Sequence, residues 1–272
     1  MPSNSQAAKA RYLRRQVITM LYKSQSGHPG GSLSVIEILM ALYYGKARIR
    51  PNEPKWEDRD RIVLSKGHAA PALYAILADL GYFPLADLDS FRQINSHLQG
   101  HPDMGKTAGV DVNTGFLGHG VSVAGGLANA AKYMGKDYHV YAVLGDGELQ
   151  EGICWEAAMA AAHYKLDNLT LLLDYNGLQI DGSNDEVMSL GDIMWKFEAF
   201  GFTTISVDGH DLKAIRDALD APSPGKPKFI CCKTVKGKGV SFMEGEFGWH
   251  GKAPNKEQYE AAMKELRGEG DE

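Results

Sequence analysis

The sequence predicts an α/β fold: a parallel sheet with helices on both faces. Three observations predict it. Short apolar runs recur along the chain, helical periodicity fills the intervals between them, and 272 residues with 44% hydrophobic and 23% charged content suffice to bury a large core. Strands covered on both faces read as continuous apolar runs rather than alternating ones, which is what a parallel sheet between helical layers requires.

The elements follow in order. Helical periodicity runs through Ala7 to Ser24, Ser34 to Tyr44 and Ala69 to Leu80, each followed soon by a glycine that stops it. Between the second and third of these, RIVLS at 61–65 is the first strand. A helix over Val121 to Met134 precedes the strand YHVYAVLGD at 138–146, and a helix over Gly152 to Tyr164 precedes NLTLLLDYN at 168–176. Then come a helix from Leu190 to Phe200, the strand FTTISV at 202–207, a helix from Leu212 to Leu219 and the strand KFICCKTV at 228–235. PSPGKPK at 222–228 reads as a surface loop because a strand pattern follows at once. Asn255 to Leu266 is one more helix before a frayed end.

Composition excludes several classes. A net charge of −5 and no dense basic block give no case for nucleic acid, and RYLRR at 11–15 reads as a solvated helix face. The N-terminus lacks the apolar stretch of a signal peptide, and no segment approaches the roughly 20 apolar residues of a membrane span. Cys154, Cys231 and Cys232 form no metal or disulfide framework, so the expectation is a cytoplasmic protein with reduced thiols and no membrane association.

The chemistry gathers at strand ends. YAVLGDGELQEG places Asp146 between Gly145 and Gly147 at the end of a strand, where an aspartate can cap a helix, hold a metal or act as a base. If YAVLGD and LLLDYN are parallel strands joined by the intervening helix, Asp146 and Asn176 lie on one sheet edge, in the crevice where open α/β sheets bind ligands. Their spacing of 30 residues is about one crossover unit. A carboxylate and an amide oxygen without nearby cysteine or histidine suit a hard cation such as magnesium, whose other ligands come from phosphates, carbonyls and water. The flanking glycines admit a phosphate, and the following helix N-terminus favours its charge. Alone, GDG is a common turn and an asparagine after a strand a common turn residue; the pair at this spacing favours a magnesium diphosphate clamp.

GDGELQEG followed by DYNGLQIDG resembles the diphosphate and magnesium motif of thiamine diphosphate enzymes, and the flanking sequence is similar to transketolases. SGHPGGSLS at 26–34, LSKGHAAPALYA at 64–75, GHPDM at 100–104 and TGFLGHGVSVAGGLA at 114–128 carry the likeness. WEAAMAAAHYKLDNL at 155–169, KTVKGKGVSFME at 233–244 and WHGKAP at 249–254 extend it over nearly the whole chain. The resemblance implies the thiamine diphosphate-binding PP-domain fold, with residues 1–272 as a single such domain. It implies thiamine diphosphate with Mg2+, or Ca2+ or Mn2+ in its place, and metal ligation by Asp146, Asn176 and the Leu178 carbonyl. His68 and His250 would contact the diphosphate. Gly115, Leu117 and Gly118 would approach the cofactor through backbone atoms, alongside Gly145 and Gly147. His28, His101 and His250 would be the catalytic histidines, the first two lining the substrate channel. Glu151 matches an acid that helps link paired active sites across an interface, and Lys66 and Lys236 are weaker phosphate or substrate candidates.

Bland readings stand beside these. His97, His139, His163 and His210 sit in no site-like motif and read as surface or ordinary core residues. His28 and His101 are each wedged between Gly and Pro, which makes a rigid turn presenting the ring, although turn chemistry alone would explain them. His68 begins a helix and could simply cap it. Cys154 needs no role beyond filling a helix contact. His119 departs from the family, which usually has glutamine there, so the hydrogen bonding around the cofactor and the substrate preference are open at that point.

A full transketolase chain is about twice as long or more. The resemblance assigns the aminopyrimidine-activating glutamate, the aromatic platform and most substrate-phosphate contacts to a pyrimidine-binding domain for which no length remains here. The expected protein is therefore the N-terminal subunit of a two-subunit transketolase, completed as an α2β2 heterotetramer by a pyrimidine-domain subunit. It would transfer a two-carbon ketol unit from a ketose phosphate to an aldose phosphate. Half of a deoxyxylulose phosphate synthase or 2-oxo acid dehydrogenase is the alternative within the class, and a noncatalytic cofactor-binding subunit the alternative outside it. A nicotinamide dehydrogenase is disfavoured, because no G-x-G-x-x-G opens a helix after a strand.

Overall fold

The computed structural model describes residues 4–268. Five strands, β1 (Arg61–Leu64), β2 (Val140–Gly145), β3 (Leu169–Tyr175), β4 (Thr203–Asp208) and β5 (Lys228–Lys233), form one sheet of order β1-β2-β3-β5-β4. Every pairing is parallel. Side chains alternate across the sheet as the pleat demands. Ile62, Leu64, Tyr141, Val143, Leu172, Ile230 and Cys232 enter one apolar layer, and Val63, Val140, Ala142, Leu144, Leu171, Phe229 and Cys231 enter the other.

The first layer is built on helices α1 (Asn4–Ser24), α2 (Pro29–Ser34), α3 (Ile36–Ala41) and α4 (Ala70–Asp79). The second is built on α5 (His119–Tyr133) and α6 (Gly152–His163). The short α7 (Asn184–Met188) is followed by α8 (Ile193–Phe200), which joins the second layer, while α9 (Leu212–Asp220) and α10 (Lys256–Glu265) complete the first.

The differences from the sequence reading have local causes. The helix expected over 34–44 is α3 over Ile36–Ala41 continued by a wide turn over Leu42–Lys46, and the short α2, Pro29–Ser34, precedes it across a break at Val35. The helix expected from Val121 starts at His119, because Gly118 turns the chain in at a left-handed φ of 79°. The helix expected from Leu190 begins at Ile193 under an Asp192 cap, and α7 was not foreseen. RYLRR is not a solvated face: Arg14 is buried, paired through both guanidinium nitrogens with Glu37 at 2.7 Å. Its charge is satisfied internally, which periodicity cannot reveal. The chain end from 269, expected to fray, lies outside the described residues.

Candidate active site

Four strand ends meet on one sheet edge. After β1 the chain passes Ser65, Lys66 and His68, and after β2 it reaches Asp146. After β3 it reaches Asn176 and Leu178, and after β5 Lys236. The loop before α2 brings His28 to the same edge, and the short turn Phe247–Trp249 brings His250. The rings of His28, His68 and His250 lie with centroids 5.1–5.4 Å apart, and His101 stands 6.4 Å from His28. Gly30 and Gly31 make that approach possible. A Cβ on Gly31 would sit 3.2 Å from both His68 Nε2 and Lys66 Nζ, and one on Gly30 would sit 2.9 Å from the Lys236 stem. His68 lies within the turn Gly67–Ala69 and caps no helix, so its bland reading fails.

Burial keeps the clustered histidines neutral, and neighbouring cations add to the effect. Burial, then the Arg92 charge, brings His28 down to about 4; burial, then Lys236, brings His250 down to about 3. Burial, then Lys66, holds His68 well below the usual range, and burial with Arg92 lowers His101. Burial and the neighbouring Lys66 bring the Lys236 ammonium down to about 8, and it lies 3.3 Å from His250 Nδ1. Cations repelling one another in a cleft mark a place where anionic charge would be welcome.

Asp146 answers the question of fit to a metal. It is 2% exposed, and its Oδ1 and Oδ2 accept the Gly147 and Gly177 N–H groups at 2.8 and 2.5 Å. These bonds use two of about four carboxylate lone-pair positions and leave the rest toward the cavity. Burial, then the negative Asp174, pushes its pKa up to about 6, against the two N–H groups and Lys66, which lower it. Among the described residues Asn176 Oδ1 accepts only the Leu178 N–H, at 3.2 Å. Among the described residues no cluster of three or more His, Cys, Asp or Glu is placed to hold a metal; a hard cation such as magnesium takes one or two side-chain oxygens and draws the rest from phosphate and water. The residues present fit magnesium.

Several organising residues escaped the sequence reading. Glu148, 2% exposed, accepts from the N–H groups of Gly118 and Gly145 and from Ser65 Oγ, tying the 114–118 loop to the ends of β1 and β2. Asp174 is fully buried and accepts from Lys66 Nζ at 2.5 Å, from Ser34 Oγ at 2.6 Å and from Thr234 Oγ1. A carboxylate inside the apolar run LLLDYN was the available signal, since a charge is buried only where it is paired. His210 is more than core packing. Its Nε2 accepts the Val235 N–H at 2.9 Å, so its Nδ1 carries the proton toward Glu37 at 3.0 Å, and the network fixes the backbone beside Lys236.

A cavity of about 230 Å³ opens beside these groups. His68, Gly145, Asp146, Gly147, Asn176 and Leu178 line it, as do Leu117, Glu151, Lys66, Lys236 and His250. His28 and His101 stand beside it rather than in its wall. Gly115 packs against His101, where a Cβ would meet the ring at 3.1 Å. Gly118 lies behind the wall, where a Cβ would come within 2.5 Å of Ile153. His119 is exposed, within 3.3 Å of the Leu117 carbonyl. The rim is apolar and open: Ile180 is 61% exposed, Leu117 36% and the adjacent Phe116 80%.

The family model for the thiamine diphosphate binding domain of transketolase matches residues 5–270. The chain belongs to the transketolase family. Among curated relatives of similar length, a 6-deoxy-6-sulfo-D-fructose transketolase subunit from Clostridium sp. (strain MSTE9) is 43% identical over 264 residues, covering 96% of each chain. An apulose-4-phosphate transketolase subunit from Phocaeicola vulgatus is also 43% identical, over 93% of this chain and 90% of that one. The crystal structure of Campylobacter jejuni transketolase superimposes with a TM-score of 0.91 at 36% identity, over 98% of this chain but 43% of that one. The chain thus spans less than half the length of such full transketolases. No helix among the described residues is long and apolar enough to cross a membrane.

Proposed function

We propose that this chain is the diphosphate-binding subunit of a two-subunit, magnesium-dependent transketolase. The observation that carries the reading is the convergence of Asp146, Asn176, Lys236 and the neutral histidines on one sheet edge, beside a cavity with an exposed apolar rim. At about 230 Å³ the cavity is smaller than the ~300–1,000 Å³ of a complete small-molecule pocket, which suits a site finished by a second surface. Relatives of similar length carry subunit names, which supports a partner subunit; that partner would carry the pyrimidine domain and complete an α2β2 assembly. The whole chain would act as one diphosphate-binding domain, in the cytoplasm.

Asp146, Asn176 and the Leu178 carbonyl would hold Mg2+, which offsets the charge of a diphosphate. His68 and Lys236 would bind diphosphate oxygens, and the backbone at Gly145, Gly147 and Leu117 would let them approach. Bound thiamine diphosphate supplies an electron sink for cleavage next to a ketose carbonyl. His28 and His101, neutral near pH 7, can accept a proton from a ketose hydroxyl or donate one to it, as general acid–base work requires. His250, in the cavity wall, would hydrogen-bond the oxygen whose charge changes. Glu151, exposed at the rim, would face the partner. The relatives' names point to anionic ketoses, phosphorylated or sulfonated, as the donor class. The test is a calorimetric titration of thiamine diphosphate into the chain with its partner. Asp146→Ala removes the metal's only carboxylate and is expected to abolish the magnesium-dependent part of binding; unchanged affinity would refute the clamp.

A further inference from the structure

Arg92 has no place in the scheme above, yet its geometry is specific. It is a non-glycine residue at a φ of 59°, with its N–H on the Leu98 carbonyl at 3.0 Å. One terminal nitrogen donates to Ser26 Oγ at 3.0 Å and the other to the Gly100 carbonyl at 3.3 Å, while its Nε is buried without a partner among the described residues. The guanidinium rests against Gly100 so closely that a Cβ there would lie 2.8–2.9 Å from it. Ser26 stands two residues before His28, and Gly100 one residue before His101. Among the described residues no carboxylate ion-pairs with Arg92.

We propose that Arg92 is the positioning residue of the substrate channel: its fork ties the His28 loop to the His101 loop, and its uncompensated charge faces both rings. The two functions separate chemically. The fork sets the 6.4 Å ring separation, since it bridges the two Gly-His-Pro turns that carry the rings. The charge opposes protonation of either ring. His28 also faces Lys66 and Lys236 and the rings of His68, His101 and His250, whereas His101 faces Arg92 and His28 and belongs to the loop carrying Asp103. Removing one cation therefore leaves His28 under the two lysines but leaves His101 without its principal cation.

The role in turnover rests on the transketolase reading, but the titration does not. Histidine ring NMR on the full-length chain is expected to show the His101 pKa, and to a lesser degree that of His28, rising by about 0.5 unit or more in Arg92→Gln. Arg92→Lys keeps the charge and is expected to restore both titrations. His139, whose lowered pKa arises from burial and from groups other than Arg92, serves as the internal control for fold integrity. In the reconstituted pair, Arg92→Lys is expected to lower kcat on the order of tenfold or more, with cofactor affinity kept, because the loops lose their fork. Unmoved His28 and His101 titrations in Arg92→Gln, or a drift of the same size shared by His139, would overturn the proposal. A wild-type pair without ketol transfer would instead count against the function, leaving the titration to decide on Arg92.

Discussion

Replacing Lys66 by Met tests how the site and the fold depend on each other. Lys66 is 1% exposed and Asp174 fully buried, and their 2.5 Å contact joins the end of β1 to β3, the strand that leads to Asn176. Burial alone would push the Asp174 carboxyl up, but the Lys66 ammonium and the bonds from Ser34 and Thr234 hold it below the usual carboxylate range. Methionine fills much of the lysine volume, so the main loss is the charge partner. Breaking a buried pair by removing one member costs about 3–5 kcal/mol, which at this chain length lowers Tm by about 10 °C. Wild-type Asp174 has a lowered pKa, so its contribution is present above the unfolded carboxyl value and is lost as pH falls through the folded one. Without Lys66 burial dominates and the folded carboxyl becomes the weaker acid. The deficit of Lys66→Met should therefore be largest near pH 7 and shrink toward pH 4. Urea unfolding at both pH values measures it, with Lys66→Met/Asp174→Asn as the companion, expected to recover about 1–3 kcal/mol of the single-variant loss. A Lys66→Met loss below about 1 kcal/mol, or a double variant no better than the worse single, would refute the reasoning.

Two further outcomes follow from the same physics. Gly118→Ala forces a side chain into a φ of 79° and to within 2.5 Å of Ile153, so it should cost about 1–3 kcal/mol or more in a thermal melt and weaken cofactor binding as the 114–118 loop shifts; an unchanged Tm would show that the loop has slack. Burial brings His139 down to about 4, so the unfolded chain takes up the proton first as pH falls from 6.5, and stability drops through that window. His139→Gln should remove at most about 3 kcal/mol of this acid loss at pH 4, and parallel pH–stability curves for variant and wild type would contradict it.

The sheet and its helices were legible because β2, β3 and β5 are apolar on both faces, so each strand announced itself as a run. The break at Val35 was not, since no glycine or proline stands beside it to signal it. Asp146 and Asn176 were legible as a pair through their crossover spacing, and His28 and His101 through their Gly-His-Pro turns. Apart from Gly145 beside Glu148, Glu148, Asp174 and His210 act through partners 25 to 173 residues away, such as Val235 and Glu37 for His210 and Ser34 for Asp174, and no local pattern encodes such pairings. Arg14 shows the same limit in reverse: it sits in a basic cluster that looks solvated, yet Glu37 draws it into the core.

The most direct test of the proposed function is reconstitution. The purified chain, a pyrimidine-domain transketolase subunit, and the two together are assayed for ketol transfer from anionic ketoses to an aldose phosphate, with thiamine diphosphate and Mg2+ supplied. The two-subunit reading predicts transfer only by the pair; full transfer by this chain alone, or none by the pair with any phosphorylated or sulfonated ketose, would contradict it.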